Sequence, residues 1–407
     1  MRKAGRFTAA LLLIAVGVAV IVDQYAKLHW TERLMDWWPL LFIALGLEYI
    51  WLQSRHGDSD KPLKLDLGGL IFALIISAVV MVSLNSSLLM KGGWTHFTQG
   101  QPYDKGTTPI TVPDRIERID LTNQAGNVTI RTGNSDRIEV QTTVYVAEGD
   151  PDKAKAIVEQ SRVEASTQGS TLNIKTISQE EGKFWGFGKI RIDLIVAIPE
   201  QVLRSTKLNL DLSNGSITAE QLVMSQELKG TTTNGAIHIT NVEAAELNLQ
   251  STNAKIVASK TKGNMKLQTT NGSIEANEHQ GDVRLKSTNG QLSAAAITGA
   301  IGAETTNGGI HLDHTHAKVD ARTTNGSIEV TAAEVQGDWD LQTTHGKIDA
   351  ALPANGDFRV QGKGQNVTSN TALPLRIHGK EIDGKVGSGQ YTINLDTNGS
   401  LVVRTSK

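Results

Sequence analysis

The spacing of hydrophobic residues changes character near residue 90. Up to there apolar residues run together in three stretches; beyond it they alternate with Thr, Asn, Gly and Ser. The stretches predict three transmembrane α-helices over about 7–23, 37–52 and 67–90. A helix needs about 20 apolar residues to cross the bilayer core, with about 17 as the usual lower limit. The third stretch reaches that length without a charged residue. The first two are short, but Trp30, Trp37, Trp38, Tyr49 and Trp51 suit the aromatic belts at the membrane interfaces. Glu48, less than two turns from the end of the second stretch, reads as an interfacial carboxylate.

After a linker at 93–106, residues 107–202 are β-rich and residues 203–407 carry a repeat. Its marker is an Asn-Gly step: Asn214, Asn234, Asn253 (followed by Ala254), Asn271, Asn289, Asn307 and Asn325, then His345-Gly346 in the equivalent place. Successive spacings are 20, 19, 18, 18, 18, 18 and 20, and a degenerate copy follows at Asn398-Gly399. Three residues after each step stands Ile217, Ile237, Ile256, Ile274, Leu292, Ile310, Ile328 or Ile348. Two further on comes a second small or apolar residue, with mostly polar residues between. That is period-two alternation with one face buried.

Asn-Gly is a strong hairpin signal, so an antiparallel meander is one reading. A meander has no need of the same residue at the same place every 18; a solenoid stacks like on like and forms side-chain ladders. The fold class expected is therefore all-β, a β-solenoid or β-helix-like array with Ile in the core, Asn at a corner and Thr facing out. About 18 residues at ~3.3 Å each close a coil of three short faces. The terminal coils need caps: residues 107–202 supply one, and the tail from Leu373 closes the other end. Within the first cap, strands near 127–131 and 137–145 and a short helix starting at Pro151 are expected. Asp150 would cap that helix, and Ala154, Ile157 and Val158 would form its apolar side. Asn123-Gln124-Ala125-Gly126-Asn127-Val128 reads as a diverged copy of the repeat.

Charge sets the orientation. Arg2, Lys3 and Arg6 precede the first apolar stretch and Arg55, Lys61 and Lys64 lie between the second and third, against Lys27 and Arg33 in the first loop. The positive-inside rule places the N-terminus in the cytoplasm and everything after Lys91 outside. No small-x-small cleavage site follows Val22. The chain has no cysteine, which removes disulfides, thiolate metal sites and a cysteine nucleophile together. A net charge of -2 with no basic run in the C-terminal part gives no footprint for nucleic acid.

The segments DLTNQAGNVTIRTGNSDRIEVQTTVYV and DLIVAIPEQVLRSTKLNLDLSNGSI, followed by repeated TTNGSI, resemble the β-strand-repeat "putative adhesin" family that includes the LiaG-like proteins of Gram-positive bacteria. The similarity covers roughly 107–407. The stretch WWPLLFIALGLEYIW after a first apolar segment is similar to the membrane region of LiaF-like envelope-stress proteins. The resemblance implies a right-handed β-helix-like fold at the cell envelope, and no catalytic residue or cofactor to carry over.

Candidate chemistry is sparse. A carbohydrate-active β-helix enzyme would gather outward carboxylates, but Glu275 and Glu329 are three coils apart, about 14 Å. His311, Asp313, His314 and His316 form the one local group with ligand chemistry suited to zinc or nickel. The Thr residues Thr232, Thr252, Thr270, Thr288, Thr306, Thr324 and Thr344 form an outward ladder beside Asn. There is no Walker loop, nucleophile elbow or His-Glu-x-x-His. The sequence thus predicts a non-enzymatic, membrane-anchored envelope protein. Its partners would be the lipid bilayer and a cell-wall or envelope-protein ligand on the solenoid face, with a link to envelope-stress sensing. A wall-polysaccharide-modifying enzyme is the alternative.

Overall fold

The computed structural model describes residues 100–148, 150–178 and 190–406, together with residues 3–4, 7–14, 18, 43, 46–48, 50–51 and 64–65. The chain divides into two compact units, residues 1–98 and 99–407.

In the first unit, residues 7–14 are helical, as are 46–48 and 50–51. The Glu48 carboxylate accepts hydrogen bonds from the backbone N–H of Phe7 (3.2 Å) and Thr8 (2.9 Å) and from the Thr8 hydroxyl (2.6 Å). The first N–H groups of a helix have no partner within it, and its positive end favours an anion. Glu48 therefore caps the first helix, a role its position alone did not reveal. Phe7 and Trp51 meet edge to face at 6.4 Å between ring centroids. Lys3–Ala4 pairs in parallel with Lys64–Leu65. No helix among the described residues is long and apolar enough to cross a membrane. The expected span at 67–90 lies outside the described residues, as does much of the other two.

The second unit is built from coils. Strands on either side of each Asn-Gly step do not pair with each other as in a hairpin. Each pairs in parallel, and in register, with its counterpart in the neighbouring coils. On one face Lys207–Asn214 pairs with Glu227–Thr232, and the column continues through Val283–Lys286, Ile301–Thr305 and Val319–Thr323 to Trp339–Thr343. On the other, Ile217–Val223 starts a column that runs through Ile274–Gln280, Leu292–Ile297 and Ile310–Thr315 to Ile348–Leu352. We call these the first and second faces. The third side is much shorter than expected. It holds only residue pairs such as Leu222–Val223 against 242–243 and 261–262.

A stacked backbone bend explains this short side. Gln221, Asn241, Lys260, Glu278, Ala296 and His314, one per coil, all adopt φ between 51° and 55°. A single left-handed residue turns a strand sharply, which non-glycine residues seldom do; here the same turn recurs in six neighbouring coils.

The diverged copy stacks directly on the first regular coil: Ile217 lies over Val128 and Asn214 over Ala125. At both ends parallel stacking gives way to antiparallel strands. Ile138–Val146 lies between Gln101–Ile110 and Ile190–Pro199 at one end. Phe358–Lys363 carries Glu381–Val386 and then Leu375–His378 at the other. The helix Pro151–Gln160 is capped by Asp150, whose side chain accepts from the N–H groups of Asp152 and Lys153, and it buries Ala154. Lys105 Nζ closes its far end, donating to the carbonyls of Val158 (2.8 Å) and Ser161 (2.6 Å).

The C-terminal coils stack out of chain order. Tyr391–Thr397 and Ser400–Thr405 pair directly on Trp339–Thr343 and Ile348–Leu352. The earlier strands Phe358–Lys363 and Asn366–Asn370 are pushed one layer further out.

Candidate binding faces of the stacked coils

The inward positions make one continuous core. Ile217, Ile237, Ile256, Ile274, Leu292, Ile310, Ile328 and Ile348 stack on one another, each at most 2% exposed, and the column continues through Leu401 to Val367. The corner forms an amide ladder. Each Asn Nδ2 donates to the Oδ1 of the Asn one coil back, at 2.7–2.8 Å, from Asn325 through Asn307, Asn289, Asn271, Asn253 and Asn234 to Asn214. His345, in the Asn place, joins by its backbone N–H, which donates to the Thr324 carbonyl at 2.8 Å.

Beside this ladder lies a buried hydroxyl column. Two residues before each corner position from Asn234 onward stand Thr232, Ser251, Thr269, Ser287, Thr305, Thr323 and Thr343, all buried. Each hydroxyl donates to the carbonyl at the second corner position of the preceding coil, at 2.8–3.3 Å. Several also accept the N–H of their own corner, as Ser287 does from Gly290 at 2.9 Å. Thr232 thus points inward, whereas the expected outward ladder holds for Thr252, Thr270, Thr288, Thr306, Thr324 and Thr344, which are exposed. The signal was present: Thr232 stands two residues before its Asn and the others one before. The corner glycines answer to the same close stacking. A Cβ on Gly290 would run into the Gly272 carbonyl oxygen, and one on Gly308 into that of Gly290.

Among the described residues several outward carboxylates are held by cations, although Glu227 and Glu246, stacked on adjacent coils, are not among them. Glu275 and Glu329 fall in one column, separated by Ser293 and His311. Lys255 Nζ sits 2.5 Å from Glu275, and its hydrogen bond, with one from Asn277, holds that carboxyl below its ordinary value. Two closer pairs that the sequence reading did not single out are bridged by arginine, each spanning the 20-residue step from one coil to the next. Asp320 lies beside Asp340, and Arg322 bridges them, touching Asp320 and lying 2.6 Å from Asp340. Glu329 lies beside Asp349, and Arg404 from the inserted C-terminal coil reaches both, at 3.4 and 2.7 Å. Burial pushes the Asp349 carboxyl up, but hydrogen bonds from Lys347 and Arg404 outweigh it and the net shift is downward. A general acid needs a carboxyl raised toward neutrality; Glu275 and Asp349 are shifted the other way.

The histidine cluster is dispersed around a bend. His311 Nδ1 lies 3.3 Å from Glu329, on the second face. His314 occupies the left-handed bend, with Nδ1 2.9 Å from Asp313. Thr315, between His314 and His316, is buried. Among the described residues no three His, Asp or Glu side chains come together as a metal-holding group.

One further polar group was not anticipated. His279 is fully buried in the column after the bend, stacked between Thr261 and Ile297. Its Nδ1 lies 2.9 Å from Thr261 Oγ1, and its Nε2 has no hydrogen-bond partner.

A capped stack of parallel coils following an N-terminal membrane-associated region defines the class of this protein. The chain belongs to the Toastrack DUF4097 family, whose pattern it matches over residues 116–303 and 298–399. Residues 7–50 match the LiaI-LiaF-like transmembrane region. No curated protein matches the chain. Among solved structures, a "putative cell adhesion protein" from Clostridium sporogenes is 10% identical, covers 75% of this chain and 100% of its own, and has a TM-score of 0.22. A "putative adhesin" from Bacteroides fragilis is 13% identical over 75% and 98%, with a TM-score of 0.26. A "putative lipid binding protein" from Parabacteroides distasonis is 12% identical over 75% and 97%, with a TM-score of 0.25. Likenesses this distant carry no argument about function.

Proposed function

We propose that this protein is a non-enzymatic component of the cell envelope. Three N-terminal helices anchor it, and an extracytoplasmic solenoid presents its outer faces to an envelope ligand as part of a stress-sensing system. The observation that carries the non-enzymatic reading is the ion pairing of two adjacent-coil carboxylate pairs. Arg322 occupies the Asp320/Asp340 pair and Arg404 the Glu329/Asp349 pair, so these four carboxylates are committed to ion pairs and not to proton transfer. The right-handed winding is also assigned, because crossovers between parallel strands in one sheet are right-handed in about 98% of cases.

Two contacts support the topology. Glu48 capping the helix at Phe7 and Thr8 brings the end of the second stretch level with the start of the first. The parallel pairing of Lys3–Ala4 with Lys64–Leu65 puts the approaches to the first and third stretches side by side and in the same direction. Both fit a helical hairpin followed by a third crossing, with the basic segments sharing the cytoplasmic side.

Because the chain has no cysteine, single-cysteine variants test this directly. A membrane-impermeant maleimide added to intact cells should label Gln336→Cys and spare Ser59→Cys until lysis. The reverse pattern would overturn the orientation. Turnover of purified wall glycans by the full chain would overturn the non-enzymatic reading.

A further inference from the structure

One outward column of the first face reads, coil by coil, Lys229, Asn248, Lys266, Arg284, Gly302, Asp320 and Asp340. Gly302 breaks it. It sits inside the strand Ile301–Thr305, where glycine contributes no side chain and loses the most backbone entropy. The backbone does not ask for it: Gly302 is not among the positive-φ residues. Nor does packing, since an added Cβ would meet nothing closer than Arg284 Nε at 3.9 Å and the Val283 carbonyl at 4.0 Å. Other strand-interior glycines differ. A Cβ at Gly230 would lie 3.1 Å from Leu249, one at Gly362 2.7 Å from Leu401, and one at Gly384 2.5 Å from the Pro374 carbonyl. Strand glycines serve bulges, bends, or the close approach of another backbone or of a ligand. At Gly302, with an ordinary φ and no protein backbone nearer than 4.0 Å to an added Cβ, the open face is left for a ligand.

The charges around this gap point to the ligand. Lys286 is paired with Glu304 at 3.1 Å, and Arg322 with Asp320 and Asp340. Arg284, whose side chain lies beside the gap, has no ion pair or side-chain hydrogen bond among the described residues, and neither do Lys266 and Lys318. These three cations and Gly302 line one open groove of about 610 Å³ that runs from the coil of Glu246 to that of Arg322. The groove also holds the ion-paired Glu304 and Asp320. Two further carboxylates there, Glu246 and Asp282, have no cation partner among the described residues, and Asp282 accepts from the Ala300 N–H at 2.8 Å. Three unpaired cations thus face two unpaired anions. Those coils span about 19 Å at ~4.8 Å each, a length suited to an extended chain. Its lining includes no aromatic ring, so it offers no stacking surface for a neutral sugar.

We infer that this groove binds a polyhydroxylated envelope polymer bearing oxyanion groups. Arg284 takes one oxyanion through its two-pronged guanidinium. Lys266 and Lys318 attract the neighbouring ones, and the missing side chain at Gly302 lets the polymer lie against the strand. Phosphate and carboxylate share the chemistry Arg284 recognises. The inference rests on the proposed envelope-binding role and names its ligand class.

The test uses the full chain in nanodiscs at low salt, with poly(glycerol phosphate), polygalacturonate and neutral dextran as probes. Binding of either polyanion, weakening as salt is raised, is the expected result, and the polymer that binds tells phosphate from carboxylate; dextran stays unbound. Arg284→Gln should weaken binding about tenfold or more through loss of a charge-assisted pair, and Gly302→Leu should do so by filling the groove. Gly302→Ala should hold or raise Tm, which separates the groove from the fold. Arg376→Gln, on the exposed strand Leu375–His378, should leave binding unchanged. Absence of polyanion binding, equal binding of dextran, or equal loss in Arg376→Gln would overturn the inference. So would folded Arg284→Gln and Gly302→Leu variants that bind like the parent. None of these results moves the cysteine-labelling pattern. Inward labelling there would instead remove the envelope polymer as the natural ligand, whatever the measured affinity.

Discussion

Ser287 shows how much one hydroxyl does at this corner. Buried, it donates to the Gly272 carbonyl at 3.1 Å and accepts from the Gly290 N–H. Leaving both backbone groups without that partner costs about 1–3 kcal/mol. Ser287→Ala should therefore lower stability by that order in thermal unfolding, while Thr288→Ala, exposed next door, should stay within about 0.5 kcal/mol. His279 makes a prediction of a different kind. Burial pushes its imidazole below the ordinary value, only partly offset by backbone groups at Asp282, Gly263 and Thr261 and by the Asp282 carboxylate. The unfolded chain then takes up the proton first as pH falls through about 6.5, so stability is intact above that value and declines below it. The Tm of the parent should drop between pH 7 and pH 5 more than that of His279→Val, which matches the Val242 position in the same column. Equal slopes would show that this group does not set the pH response.

At the scale of the strand, each coil is held by its neighbours more than by itself. Ile310 packs between Leu292 and Ile328 on adjacent coils. Truncating it removes contacts in both directions, and the stacked backbone leaves little room to collapse. Ile310→Ala should cost about 2–5 kcal/mol, measurable as a shifted denaturant midpoint with the slope unchanged. The exposed Asn ladder contributes less per residue, because water competes for its amides. Its main consequence is register: a coil displaced by one residue would lose the amide pairing and turn its Ile column toward solvent.

For the whole molecule, removing a middle coil and removing the end should differ. Deleting residues 289–306, one coil, brings 271–288 against 307–324 with every column still matched, since neighbouring coils use equivalent registers. That variant should remain folded by circular dichroism and resist proteolysis, as repeat arrays tolerate internal loss. Truncation before Tyr391 should not. It removes the coil that separates Trp339–Thr343 and Ile348–Leu352 from Phe358–Lys363 and Asn366–Asn370. Buried Ile348, Trp339 and Phe358 would lose their stacking partners, and proteolysis should begin in the C-terminal coils. Equal resistance of the two variants would refute this account of the C-terminal coil.

By itself the sequence determined the solenoid, because a core that repeats every coil must show the same period in its apolar residues. The Ile column, the Asn corner, the diverged first copy and the helix cap at Asp150 were legible for that reason: each depends on near neighbours or on a fixed offset. Only the tertiary structure decided what depends on contacts between distant or adjacent coils. The C-terminal coil inserts beneath an earlier one, which brings Arg404 to Asp349. Arg322 bridges two aspartates that lie in separate repeats. A buried hydroxyl column hides behind a Thr-Thr pair whose two members look alike in sequence. Period and offset are local properties, whereas pairing across the stack is set by which coil ends up beside which.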